Sequence, residues 1–128
     1  MKQQTQMNKD MQACIESCQQ CHSVCLQTAM TTCLEMGEQH VEPEHFRLMM
    51  DCTAVCQTAA NFMLSSSTVY PRICGLCAEV CDACAESCER IGGMENCVAS
   101  CHECAEKCRR MSGGEPRMGA GSRQSARM

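Results

Sequence analysis

The sequence predicts an all-α fold, an antiparallel four-helix bundle with a cysteine-lined core. Three observations carry this. Gly and Pro divide the 128 residues into four helix-length stretches joined by short connections. Within those stretches the cysteines recur at steps of three and four, the period of a core-facing helix stripe. Apolar alternation with period two is absent and β-branched residues are sparse, so no strand pattern competes.

The elements follow in chain order. Residues 1–10 are polar and read as an N-terminal arm or a short helix. Residues 11–36 contain no Gly or Pro and form the first long helix, with Gly37 suited to its C-terminal cap. Glu38 to Glu42 form a connection. Pro43 fits the first turn of a second helix over 43–64. The run Ser65, Ser66, Ser67, Thr68 is a polar loop, and Pro71 opens a third helix over about 71–90. Gly92 and Gly93 make a tight connection to a fourth helix over 94–111. Residues 112–128, SGGEPRMGAGSRQSARM, have the composition of a disordered tail.

Composition makes the core unusual. There are 16 Cys and 12 Met but no Trp, two Phe and one Tyr. Leu, Ile, Val and Phe together supply 16 of the 128 residues, a level at which chains usually stay unfolded. A protonated Cys behaves as a small hydrophobe, so Cys, Ala and Met must supply the missing apolar mass. The net charge of −4 with no basic, aromatic-rich patch argues against a nucleic-acid partner. No stretch approaches the ~18 apolar residues of a membrane span. The N-terminal MKQQTQMNKDMQAC has no apolar signal region, so the expected location is the cytosol. In a reducing compartment such cysteine richness points to metal or redox chemistry rather than disulfides.

The candidate ligands are Cys14, Cys18, Cys21, Cys25 and Cys33; Cys52 and Cys56; Cys74, Cys77, Cys81, Cys84 and Cys88; and Cys97, Cys101, Cys104 and Cys108. Extending the stripe adds His45, Met49, Ala59 and Met63 on the second helix. It adds Tyr70 and Ile91 on the third, and Met94 and Met111 on the fourth. Cys33 lies eight residues beyond Cys25, displaced by roughly 80° round an ideal helix, and is expected at the edge of the core. His22 and His102 fall beside the stripe and are expected in solvent. His40 lies in a connection.

A core that merely uses Cys is a poor explanation, because Leu would contribute more burial energy at nearly every position. Disulfides within a helix turn are disfavoured. Residues at i and i+4 have Cβ atoms about 5–6 Å apart, and a disulfide wants about 3.5–4.5 Å. Four C-x-x-C pairs occur, but none sits in a thioredoxin-like βαβ pattern.

Thiolates and thioethers select soft ions. Zinc takes closed tetrahedral sites, typically on loops. The ferredoxin cysteine run is absent. The seven C-x-x-x-C pairs can each clasp a two-coordinate Cu(I) within one helix turn, and a neighbouring helix can add a third sulfur. Charge points the same way. Sixteen buried thiolates need sixteen compensating charges. Four Zn(II) would leave the core at about −8, whereas one Cu(I) per cysteine brings it near zero. The reading is therefore a non-enzymatic store or buffer for multiple Cu(I) ions. A zinc or general thiolate sink and a redox-active thiol protein are the competing readings. His45, Met49 and Met94 are secondary ligand candidates at one end of the bundle.

The segments CGLCAEVCDACAESC (Cys74–Cys88) and CVASCHECAEKC (Cys97–Cys108) resemble the bacterial four-helix-bundle copper storage proteins. RLMMDCTAVC (Arg47–Cys56) is similar to that family's second helix. The resemblance covers about residues 11–111. It implies a homo-oligomer, often a tetramer, that holds many Cu(I) ions inside each bundle. Some relatives are exported on a twin-arginine signal; this chain looks like the cytosolic branch. It departs from that branch at the start of helix four. His and Cys are usual there, and this chain has Gly93, Met94, Glu95 and Asn96.

Overall fold

The structure is a computed structural model that describes residues 2–113, with side chains described from residue 9. The segment expected as a tail lies outside the described residues from 114 on. The elements are α1 (Lys2–Thr28), a π-helical turn (Ala29–Cys33), α2 (Leu34–Met36), a 3₁₀ turn (Glu38–Val41), α3 (Pro43–Leu64), α4 (Tyr70–Ile91) and α5 (Glu95–Met111). The first helix thus starts at Lys2 and takes in the polar segment read as an arm or a short helix. α1, the π turn and α2 make one rod. Among the described residues there are four such rods and no strands, and no helix is long and apolar enough to cross a membrane.

Helix ends follow the local chemistry. The Glu42 carboxylate accepts from the His45 backbone N–H at 3.2 Å, and Pro43 occupies the first turn of α3. This cap fixes where His45 enters the bundle. Gly92 (φ 90°) and Gly93 (φ 79°) adopt left-handed conformations that turn the chain from α4 into α5. Each rod packs against two neighbours, in the cyclic order α1, α3, α4, α5.

All sixteen cysteines are fully buried. Ala29, Ala59, Ala60, Ala78, Ala85 and Ala105 are buried beside them. These small side chains let the rods approach closely, so a core poor in Leu and Phe still excludes water.

Cys33 corrects the sequence expectation. It is completely buried, not at the core edge. The π turn is the cause. A π turn takes up one extra residue, so the eight residues from Cys25 to Cys33 advance the helix as seven would. Seven residues at about 100° each return within about 20° of the starting face. Deleting Met30, an exposed residue of this turn, should therefore convert it to regular α-helix and keep all cysteines inward. Deleting exposed Gln19 in mid-helix should rotate half the stripe outward. Counting thiols that react with an alkylating reagent under native conditions checks this. Almost none are expected after the first deletion and several after the second.

Candidate metal centre

The sulfurs form one connected ladder along the bundle axis. Cys14, Cys74 and Cys108 make the rung at one end. Next come Cys18, Cys77, Cys104 and Cys108, then Cys21, Cys56, Cys81 and Cys104. The series continues with Cys21, Cys25, Cys52 and Cys101, then Cys25, Cys84, Cys97 and Cys101. Within each group the sulfurs lie within 4.8 Å of one another, and shared cysteines link one rung to the next. All sixteen are free thiols.

The spacing suits metal bridging. A metal–thiolate bond of about 2.3 Å places sulfurs about 4.0 Å apart round a three-coordinate ion and about 4.6 Å across a linear one. Cross-helix Sγ–Sγ distances include Cys14–Cys108 at 3.7 Å, Cys52–Cys81 at 3.8 Å, Cys56–Cys104 at 3.9 Å and Cys21–Cys101 at 3.8 Å. An ion between such sulfurs asks for shifts of tenths of an ångström. Cys25–Cys97, at 3.1 Å, must open further.

Sharing also limits zinc. Only two four-thiol groups can be filled at once without using a cysteine twice. An example is Cys21, Cys56, Cys81 and Cys104 together with Cys25, Cys84, Cys97 and Cys101. Ions that bridge thiolates escape this limit; closed tetrahedral sites do not.

At the far end the donors change. Met49 Sδ lies 3.6 Å from Cys84 Sγ and 3.5 Å from Cys88 Sγ. Cys88 Sγ is 3.9 Å from Cys97 Sγ. Cys33 Sγ is 3.6 Å from Met94 Sδ and 3.9 Å from His45 Nε2. His45, Met49 and Met94 are all buried, so the three secondary candidates are gathered with Cys33, Cys84 and Cys88. Ala59 and Met63 are buried as well, whereas Tyr70, Ile91 and Met111 reach only half-buried positions at the rod ends.

The remaining histidines are outside the ladder. His22 is half-buried rather than solvated, because its Nδ1 donates to the Thr53 carbonyl at 2.9 Å. His40 Nε2 donates to the Gly92 carbonyl at 3.1 Å. His102 is exposed, 3.7 Å from Glu89. Sequence reasoning missed Ser87, which is buried with its Oγ 2.7 Å from His45 Nδ1. Serine next to a cysteine stripe carries no signal of its own. Its helical position facing α3 was the available clue.

Hydrogen bonds between packed thiols hold Cys21, Cys52, Cys77, Cys84, Cys97 and Cys104 below the ordinary thiol range, while burial acts upward on every one of them and favours the neutral form. Burial raises Cys33, reinforced by the neighbouring Cys97 and Cys84. For Cys74 the Cys108 hydrogen bond is the strongest influence and acts downward. The Cys14 hydrogen bond, burial and nearby thiolate charge outweigh it, and Cys74 is pushed up to about 12. Burial holds His45 below the usual imidazole range. The linkage signs follow. A raised thiol contributes fully below the ordinary value of about 8.5 and loses its contribution as pH climbs through the folded value. A depressed His45 contributes above about 6.5 and loses it as pH falls through its folded value. The raised thiols Cys33 and Cys74 should therefore pull the melting temperature of the metal-free protein down above about pH 9. A melting temperature that rises above about pH 9 would contradict neutral thiols at these two positions.

The fold and the site together define a class, a helical bundle whose whole core is a donor set for soft metal ions. The copper storage protein family model matches residues 7–113. The chain belongs to the copper storage protein family. It is similar in structure to the protein Nmul_A1745 from Nitrosospira multiformis, at 55% identity and a TM-score of 0.82, with 84% of this chain and 99% of that one covered. It is also similar to apo copper storage protein 3 of Bacillus subtilis, at 36% identity and a TM-score of 0.72, covering 80% and 98% of the two chains. The Cu(I)-bound copper storage protein BsCsp3 gives 35% identity and a TM-score of 0.75, covering 81% and 99%. The uncharacterized cysteine-rich protein YhjQ of Bacillus subtilis (strain 168) is 35% identical over 74 residues, 58% of this chain and 68% of that protein.

Proposed function

We propose that the protein stores copper, holding many Cu(I) ions on cysteine thiolates inside a bundle that is folded before metal arrives. The connected ladder of buried, free sulfurs, with Cys33 and Cys88 at its end, carries this reading. Each bound Cu(I) displaces one thiol proton, so the core passes from neutral thiols to neutral copper thiolates without stranding charge. The Cu(I)-bound state of a relative supports the same cargo here. All sixteen cysteines are the primary ligands, with His45, Met49 and Met94 at one end. The protein works in the cytosol as a homo-oligomer, a tetramer by family resemblance, and holds and releases ions without chemical turnover.

Anaerobic titration followed by native mass spectrometry and circular dichroism tests this. Storage predicts roughly one copper per cysteine with unchanged helicity, and a Zn(II) titration that stops at about four ions or fewer. Copper that saturates at the zinc number, or helix that appears only on metal addition, would overturn it.

A further inference from the structure

We propose that Ser87 is a positioning residue that turns the His45 imidazole toward Cys33 and Met94, making those three side chains a terminal Cu(I) site distinct from the thiolate ladder. This rests on the storage reading above and assigns its end site.

Cys33 belongs to none of the five thiol groups. Its sulfur instead meets His45 Nε2 at 3.9 Å and Met94 Sδ at 3.6 Å. Each donor arrives on a different element: Cys33 by the π turn, His45 by the first turn of α3, Met94 just before α5. All three are buried, with 0%, 1% and 4% exposure.

His45 could present either ring nitrogen, and Ser87 selects. Ser87 Oγ lies 2.7 Å from Nδ1 and also accepts from Arg90 Nη2 at 3.4 Å. Oγ has two lone pairs and one proton, so with Arg90 on one lone pair it can still accept from Nδ1, and the tautomer that serves a metal is the one with the proton on Nδ1. Nε2 then keeps its lone pair on the side of Cys33, ready for a metal. A partner that holds the far nitrogen of a ligating histidine is a recurring device in metal sites.

The donor set has a consequence. One thiolate, one imidazole and one thioether neutralise a single Cu(I), whereas the rungs of the ladder offer three or four thiolates. The end ion therefore has the fewest charged ligands and exchanges first.

The test uses the full chain labelled with nitrogen-15. Long-range proton–nitrogen correlations read the His45 tautomer, and Cu(I) is then added anaerobically. The metal-free protein should show protonated Nδ1, and the Nε2 resonance should shift on loading. C33S should abolish that shift and lower capacity by one ion. S87A should mix the tautomers and weaken one ion about 10-fold or more in competition with a Cu(I) chelator. S87T should restore both. A proton on Nε2 in the metal-free wild type would overturn the proposal, and so would an S87A variant with unchanged tautomer and exchange. The wild-type spectra decide even if S87A folds poorly. Wild type that loads several ions without moving His45 sinks this site alone; wild type that loads none sinks the storage reading.

Discussion

Replacing Cys52, Cys81, Cys101 and Cys104 together by serine should remove about four or more copper ions from the loaded protein while leaving the metal-free bundle helical. These positions are chosen because every four-thiol group contains at least one of them. Their loss interrupts the ladder in its middle and leaves the Cys14, Cys74 and Cys108 rung intact. Serine keeps the shape of cysteine but is a far poorer ligand for a soft ion. Its hydroxyl can bond a carbonyl one turn back, as Thr58 does to Ala54 at 2.9 Å and Thr31 to Gln27 at 2.6 Å. The backbone therefore has a way to satisfy the new polar groups. Native mass spectrometry gives the capacity and circular dichroism the helicity. Unchanged capacity would place the copper outside the core.

The second large effect concerns stability rather than capacity. Cys101→Asp should unfold the metal-free protein or lower its melting temperature drastically, whereas Cys101→Ser should cost far less. Cys101 is fully buried, with Cys25, Cys21 and Cys52 sulfurs at 3.5, 3.8 and 3.8 Å. A carboxylate there meets only weak thiol donors. Leaving a buried charge unpaired costs about 3–5 kcal/mol, against a total domain stability of about 5–15 kcal/mol. Thermal melts at neutral pH measure the difference. Equal melting of the two variants would mean that water reaches the sulfurs, and the prefolded dry core would be lost as an explanation.

The four rods were legible in the sequence because glycine and proline mark their ends and the cysteine steps fix their inward faces. Cys52 with Cys56, or Cys101 with Cys104, could be placed by periodicity alone. Cys33 could not. Nothing local distinguishes a π turn over Ala29–Cys33 from regular α-helix, so the register arithmetic put this residue at the core edge. Its burial depends on packing from other rods. Tyr70, Ile91 and Met111, placed inward by the extended stripe, pack against the core but stay half-buried at the rod ends. Ser87 was invisible for another reason. Its role depends on a pair across α3 and α4, and serine is usually a surface residue. The early start of α1 shows that a polar segment can continue a helix already nucleated by its packed face.

Crystallography of the copper-loaded protein, with anomalous diffraction collected on either side of the copper absorption edge, tests the central claim most directly. A chain of copper peaks should run along the interior between the rods, each within bonding distance of cysteine sulfur, with the backbone close to the metal-free fold. Copper found chiefly on surface histidines or at the chain ends, with the interior sulfurs unmetallated, would contradict it.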